Sequence, residues 1–236
     1  MALIAFKKLS VITGVSTAIL FAGYSSQALA MSPFQASYQF AYNGKNLGSA
    51  TRTLSKSGNN WTYVFAAKAG AIASATETSR FSLNNGQITS GNFTRTSKIL
   101  VHNNTMSIKF NPSAKTINTT KDKENRSFAW KAGVLDELNA ELQLREDLKG
   151  SGLKSNYYLA AKEVEPRKFV RAGTEKVKTS YGTFDTVKVV MKHDKPDRDT
   201  IFWLAPKLDY LPVKVTHQDK KTSYGLLLTG YKGPSN

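Results

Sequence analysis

Apolar and polar side chains alternate with a period of two through most of this chain, and turn signals break the alternation about every 8–12 residues. Phe34, Ala36, Tyr38, Phe40 and Tyr42 fall on one parity, so a strand there has one apolar face. Asn43-Gly44 follows, the strongest short hairpin signal. Leu47 to Lys56 reads as the return strand, and Trp61, Tyr63, Phe65 and Ala67 form another apolar row. Further strands are expected over Thr76–Leu83, Ile88–Ile99, Thr105–Phe110 and Thr116–Thr120, with Asn84-Asn85-Gly86 as a turn.

One segment departs from this rhythm. Leu135 to Lys149 is rich in Leu, Glu, Ala, Gln and Arg, which favour helix, and Leu135, Leu138 and Leu142 share a helical face. Leu138, Ala140, Leu142 and Leu144 also alternate, which leaves a strand open as the other reading. Helix is favoured, because Asp136, Glu137 and Glu141 lie early, where the helix dipole favours acids. Gly150-Ser151-Gly152 then stops it.

Strands resume over Tyr157–Lys162, Lys168–Ala172, Glu175–Thr179, Thr183–Lys192, Thr200–Leu204, Leu211–Gln218 and Ser223–Tyr231. Ile201 to Ala205 is apolar on both parities and should be covered on both faces. Pro212 inside the next strand predicts a sheet edge or a bulge. Lys121 to Arg126 is the best candidate for a long loop.

Strands and helix do not alternate, which excludes a parallel α/β sheet. The expected fold is mainly β: a curved antiparallel sheet or open β-barrel with one central helix that plugs its apolar concave face. A single domain is expected over residues 31–236.

Residues 1–30 read as a secretory signal peptide rather than as part of the fold. Lys7 and Lys8 precede an apolar run from Val11 to Gly23, and Ala28-Leu29-Ala30 offers small residues to a signal peptidase. The run is shorter than the roughly 20 residues that span a bilayer. A periplasmic location follows, with no transmembrane segment in the processed chain. The chain has no cysteine, so neither a disulfide nor a lipid-modified cysteine is available, and stability must come from the core. A processed chain of this size buries roughly 70% of its unfolded surface, enough for one core.

The formal charge is +16, unevenly spread. Between Met31 and Lys121 there are ten Lys or Arg and one acid, Glu77; from Asp122 onward there are twenty-one bases and sixteen acids. Such a field favours anionic partners. In a periplasm these are lipid A phosphates, anionic phospholipids or acidic glycans, and nucleic acid is not an expected partner. Dispersed single Lys and Arg also serve solubility alone.

No catalytic or metal-binding constellation stands out, and no cofactor is expected. His102, His193 and His217 lack metal-ligand spacing. His102, beside Asn103-Asn104, reads as a loop residue, while His217 shares parity with Val213 and Val215 and so one sheet face. There is neither a G-x-S-x-G elbow nor a phosphate loop. The pairs Asp136-Glu137 and Asp197/Asp199 read most simply as surface acids. Glu77, alone among ten bases, should be ionised and paired, either as an ion pair fixing strand register or as a ligand contact in a cavity.

Several segments together resemble the DUF3108 family of bacterial periplasmic proteins. They are Phe34-x-Ala36-x-Tyr38 with Gly44, Gly48 and Leu54; Glu77-Thr78-Ser79-Arg80-Phe81; and Asp136-x-Leu138 with Leu142-Gln143-Leu144-Arg145-x-Asp147-Leu148. Gly173-x-Glu175 and Gly182-x-x-Asp185-Thr186-Val187-Lys188-Val189 follow, and the most specific piece is Trp203-Leu204-Ala205-Pro206-x-Leu208-Asp209-Tyr210-Leu211-Pro212-Val213. The resemblance brings no catalytic residues with it. The sheet-plus-helix pattern is also similar in architecture to periplasmic lipoprotein carriers. The favoured function is a non-enzymatic envelope protein that binds a lipid or other anionic amphiphile or docks on the anionic envelope, with Glu77, Arg80, Arg145, Trp203 and Tyr210 as candidate binding residues. The alternatives are a scaffold for envelope proteins, using an edge strand near Pro212 and the helix, and an envelope glycan hydrolase using Glu77 or an Asp pair.

Overall fold

The computed structural model describes residues 31–71, 73–193, 197–220 and 222–234; the proposed signal peptide at 1–30 lies outside them. Alternation and hairpin turns give eight antiparallel strands in succession. They are β1 (Phe34–Tyr42), β2 (Lys45–Ser57), β3 (Asn60–Ala69), β4 (Ala73–Asn84), β5 (Gln87–Ile99), β6 (His102–Asn111), β7 (Thr116–Lys121) and β8 (Glu124–Ala129). A two-residue strand β9 (Val134–Leu135) leads into α1 (Glu137–Lys149). After the helix come β10 (Tyr157–Ala160), β11 (Val164–Lys178), β12 (Thr183–Lys192), β13 (Arg198–Ala205), β14 (Leu211–Asp219) and β15 (Thr222–Lys232).

All fifteen strands form one sheet. From β8 the strand order runs back to β1, crosses to β15 and returns to β9. Only the β9–β10 pair is parallel. The first and last strands therefore pair, Gln35 opposite Lys232 and Tyr42 opposite Tyr224. The barrel stays open in the middle of the chain, between β8 and β9. Edge strand β8 is short, exposed and carries Glu124 and Arg126, features that discourage edge-to-edge pairing.

The helix lies inside this curve, against β3, β4, β5, β9 and β10. It begins at Asp136, whose carboxylate accepts the Asn139 backbone N–H at 2.9 Å, a side-chain N-cap. Leu138, Ala140, Leu142 and Leu144 are buried, and so are Asn139, Glu141, Gln143, Arg145 and Asp147. A helix enclosed on all sides must find partners in the wall for its polar side chains. Gln143 accepts from the Ile88 backbone N–H at 2.8 Å and donates to the Gly86 carbonyl at 2.9 Å. Asp147 accepts from the Tyr157 hydroxyl at 2.7 Å.

Three expectations are corrected. Lys121 to Arg126 is not a long loop but a tight hairpin, with Asp122 at φ +53 and its carboxylate accepting from the Thr105 N–H at 2.9 Å. His102 opens β6 instead of lying in a loop. The segments around Lys168 and Glu175 form one strand, kinked by a bulge between Arg171 and Thr174 where Gly173 has φ +92. At Pro212 the expected bulge is found rather than the edge: the β13–β14 register slips between Trp203 and Leu204, and β14 is an internal strand. The scaffold reading thereby loses its proposed contact edge. Ile201 to Ala205 is covered on both faces as expected.

Candidate functional site

The inner parity of each strand decides what the barrel encloses. In β2, Ala50, Arg52 and Leu54 face inward, which puts a guanidinium into the interior. It donates to the Tyr63 hydroxyl at 3.0 Å and to Glu141 of the helix, and Tyr63 also donates to Glu141 at 2.8 Å. The Arg52 guanidinium lies 5.1 Å from the Phe65 ring centroid and 5.8 Å from that of Tyr38. Burial pushes the Tyr38 and Tyr63 phenols well above their usual range, so both stay neutral hydrogen-bonding groups. In β4, Glu77 is opposite Phe65 on one side and Arg95 on the other. Arg95 Nε donates to Glu77 at 2.6 Å, and the same guanidinium reaches Glu137 on the first helical turn. Burial raises the Glu77 pKa, with Arg95 pulling it back.

Between this wall, the N-terminal half of α1 and strands β10 to β14 lies a cavity of about 450 Å³. Its lining is divided. Phe65, Leu138, Phe169, Met191, Phe202 and Val215 are apolar; Arg52, Arg167, Arg198, Glu77, Glu137 and Glu141 are charged. Arginine engages each of those three carboxylates. Arg198 pairs with Asp219 and Arg167 with Glu165. The Nε–H groups of Arg52 and Arg198 are buried with no acceptor among the described residues. His193 and His217 also line the cavity, joined through the Thr200 hydroxyl at 3.0 and 2.7 Å. Desolvation, then the charge of Arg198, lowers both imidazole pKa values, so both rings are neutral near pH 7. Among the described residues no His, Cys, Asp and Glu cluster is placed to hold a metal.

Of the five candidate residues, only Glu77 reaches this cavity. Arg80 has the opposite parity and is exposed on the outer face. Trp203 is also on the outer face, although buried. Lys214 and Lys188 lie 4.2 and 5.3 Å from its ring centroid, and its indole N–H donates to Glu175 at 2.8 Å. These distances place the lysine ammonium groups over the ring face, a cation–π arrangement. Arg145 is buried near the C-terminal end of α1, bonded to the Asp209 carbonyl at 3.1 Å and 4.9 Å from the Phe34 ring centroid. Tyr210 follows Asp209 in that same cluster, in a left-handed conformation at φ +55. Arg145 and Lys149, each paired with Asp209, fix the helix to the β13–β14 connection.

The residues that sequence reasoning missed are Arg52, Glu141, Arg167, Arg198, Thr200 and His193. Arg52 carried a signal, since it sits between Ala50 and Leu54 on the apolar parity of β2. Glu141 carried none, because a helical glutamate is ordinarily solvated. His217 does face inward, as its parity with Val213 and Val215 implies.

An open antiparallel barrel plugged by one polar-studded helix, with a divided cavity beside the plug, defines a β-barrel-like fold. The chain belongs to the DUF3108 family of proteins of unknown function, whose model matches residues 37–229. No curated protein matches it in sequence. Among solved structures, it is similar to a β-barrel-like protein of domain of unknown function DUF1849 from Brucella abortus, with 11% identity and a TM-score of 0.55. That match covers 88% of this chain and all of the other. A candidate lipoprotein from Parabacteroides distasonis aligns at 12% identity with a TM-score of 0.32, over 86% of this chain and 96% of its own. The first likeness concerns the fold alone. Among the described residues no helix is long and apolar enough to cross a membrane.

Proposed function

We propose that this is a non-enzymatic protein of the bacterial envelope, exported to the periplasm by residues 1–30, whose cavity holds a small anionic amphiphile. The observation that carries the reading is the divided lining of the 450 Å³ cavity. Its volume falls within the roughly 300–1,000 Å³ of small-molecule sites. Phe169, Met191, Phe202 and Val215 offer an apolar wall to a chain. Arg167 and Arg198 in the same lining offer guanidinium N–H donors to a carboxylate or phosphate head. Because arginine engages each lining carboxylate, none is left as a free acid–base pair, which supports binding over hydrolysis.

Native mass spectrometry of the protein taken from its own envelope fraction tests the binding. A co-purifying lipid, displaced by dodecanoate or lysophosphatidylglycerol, is the expected result. Arg198→Ala with Arg167→Ala should weaken dodecanoate binding about tenfold or more, as expected when charge-assisted hydrogen bonds are lost. A ligand-free protein that takes up neither probe refutes the reading. N-terminal sequencing checks the export step, and the expected first residue is Met31.

A further inference from the structure

At the end of the barrel where the cavity opens, the hairpin tips of β1–β2, β3–β4 and β5–β6 stand side by side, as a meander requires. The β14–β15 tip joins them: the Asn43 N–H donates to the Ser223 carbonyl at 2.9 Å, and the Asn43 side chain accepts from the Ser223 N–H at 2.8 Å. Five of the six exposed large apolar residues among the described ones belong to this rim: Leu47, Ile99, Leu100, Val101 and Tyr224. Val101 is 84% exposed and Leu100 62%. The sixth, Tyr181, is at the opposite end of the barrel.

Folding does not explain the β5–β6 tip. Leu100 has φ +55, a left-handed conformation that costs a branched side chain but suits Asn or Gly. The chain uses Asn-Gly for this purpose at Asn43-Gly44 and Asn85-Gly86. At 100–101 it places two large apolar residues in water instead. Beside them a shallow apolar recess of about 360 Å³ is lined by Phe40, Tyr42, Leu47, Ala69, Ile99 and Tyr224. Exposed Lys45, Lys68, Lys98 and Lys220 surround these residues. From Tyr42 to Val101 the one acid is Glu77, and it points into the cavity. Apolar tips ringed by lysine, with Asp219 at the β14–β15 tip paired to Arg198, complement a surface that is greasy beneath and anionic on top.

We propose that this rim docks on an anionic phospholipid bilayer, with Leu100 and Val101 below the headgroups and the lysines on lipid phosphates. The docking does not depend on the cavity being filled. It does place the cavity mouth at the membrane: the Tyr224 ring is 6.1 Å from that of His217, which lines the cavity.

Co-sedimentation of the purified chain with vesicles of phosphatidylglycerol and phosphatidylethanolamine, and with phosphatidylcholine alone, tests it. Binding is expected to the anionic vesicles and to fall with salt. Leu100→Asn with Val101→Ser should weaken it about tenfold or more, from the lost apolar burial. Lys45→Gln and Lys98→Gln should each weaken it about fivefold. In a separate Val101→Trp protein, brominated lipid should quench fluorescence, a gain of signal that needs no disruptive change. Equal binding by wild type and the Leu100/Val101 variant, or no quenching at Trp in place of Val101, overturns the proposal. So does a tip variant that abolishes self-association and leaves vesicle binding intact, since the occupant is then a second copy. Loss of dodecanoate binding in the Arg198/Arg167 variant with vesicle binding retained separates the cavity from the rim.

Discussion

Removing Glu141 alone should harm this protein more than removing Glu141 and Arg52 together. Both side chains are about 5–6% exposed and meet in the interior, with Tyr63 bonded to each. Glu141→Leu would leave a buried guanidinium facing one hydroxyl and two aromatic rings. Arg52→Met would leave a buried carboxylate with the Tyr63 hydroxyl as its remaining donor. Breaking a buried pair from one side costs about 3–5 kcal/mol. In a domain of 150–250 residues that is a fall in Tm of roughly 6–20 °C, at about 2–4 °C per kcal/mol. The double variant buries no charge and leaves only the Tyr63 hydroxyl unpaired, a cost of about 1–3 kcal/mol. Urea unfolding followed by tryptophan fluorescence and far-UV circular dichroism measures all four proteins. A double variant as unstable as the sum of the singles would refute the reasoning, because the pair would then contribute by packing and not by mutual neutralisation.

Gln143→Ala should cost about 1–3 kcal/mol in urea unfolding, because it leaves the Ile88 N–H and the Gly86 carbonyl without their helix partner. Its effect should appear first as faster amide exchange at Ile88. Gly48→Ala should destabilise by about 1–3 kcal/mol or more, since a Cβ there would lie 1.9 Å from the Lys68 carbonyl oxygen and the β2–β3 backbone would have to part. Burial raises the Asp136 carboxyl from 3.8 to about 7, against the hydrogen bonds from Ser79 and Asn139. Its contribution to stability is therefore fully present below the unfolded pKa near 3.8 and is lost as pH rises through about 7. Folding should take up about one proton near pH 5.5, and Asp136→Asn should flatten the urea midpoint between pH 4.5 and 8; an unchanged profile in that variant would reassign the proton.

The period of two carries most of what is legible in the sequence. It located the strands, the covered face of Ile201 to Ala205 and the inward turn of His217. Applied strictly, it also places Arg80 opposite Glu77 and Trp203 opposite Phe202, so neither belongs in the interior. Both sit in segments that resemble the family, and such segments include residues that hold a fold together. Trp203 is of that kind: its ring lies under the ammonium groups of Lys188 and Lys214. Parity cannot report closure, because it fixes which face a side chain takes and not which strands meet. The pairing of β1 with β15, which makes a barrel of the sheet, joins residues nearly 200 positions apart in the chain. The helix is the expected central plug, but Asp136, which reads as a surface acid, is buried. On an open sheet Asp136, Glu137 and Glu141 face water. Once β1 and β15 meet, the helix is inside, and Asp136 and Glu141 need partners supplied by Ser79, Arg52 and Tyr63. The cavity exists for the same reason, since a plug that is pinned to the wall by polar contacts cannot slide to fill the space beside it.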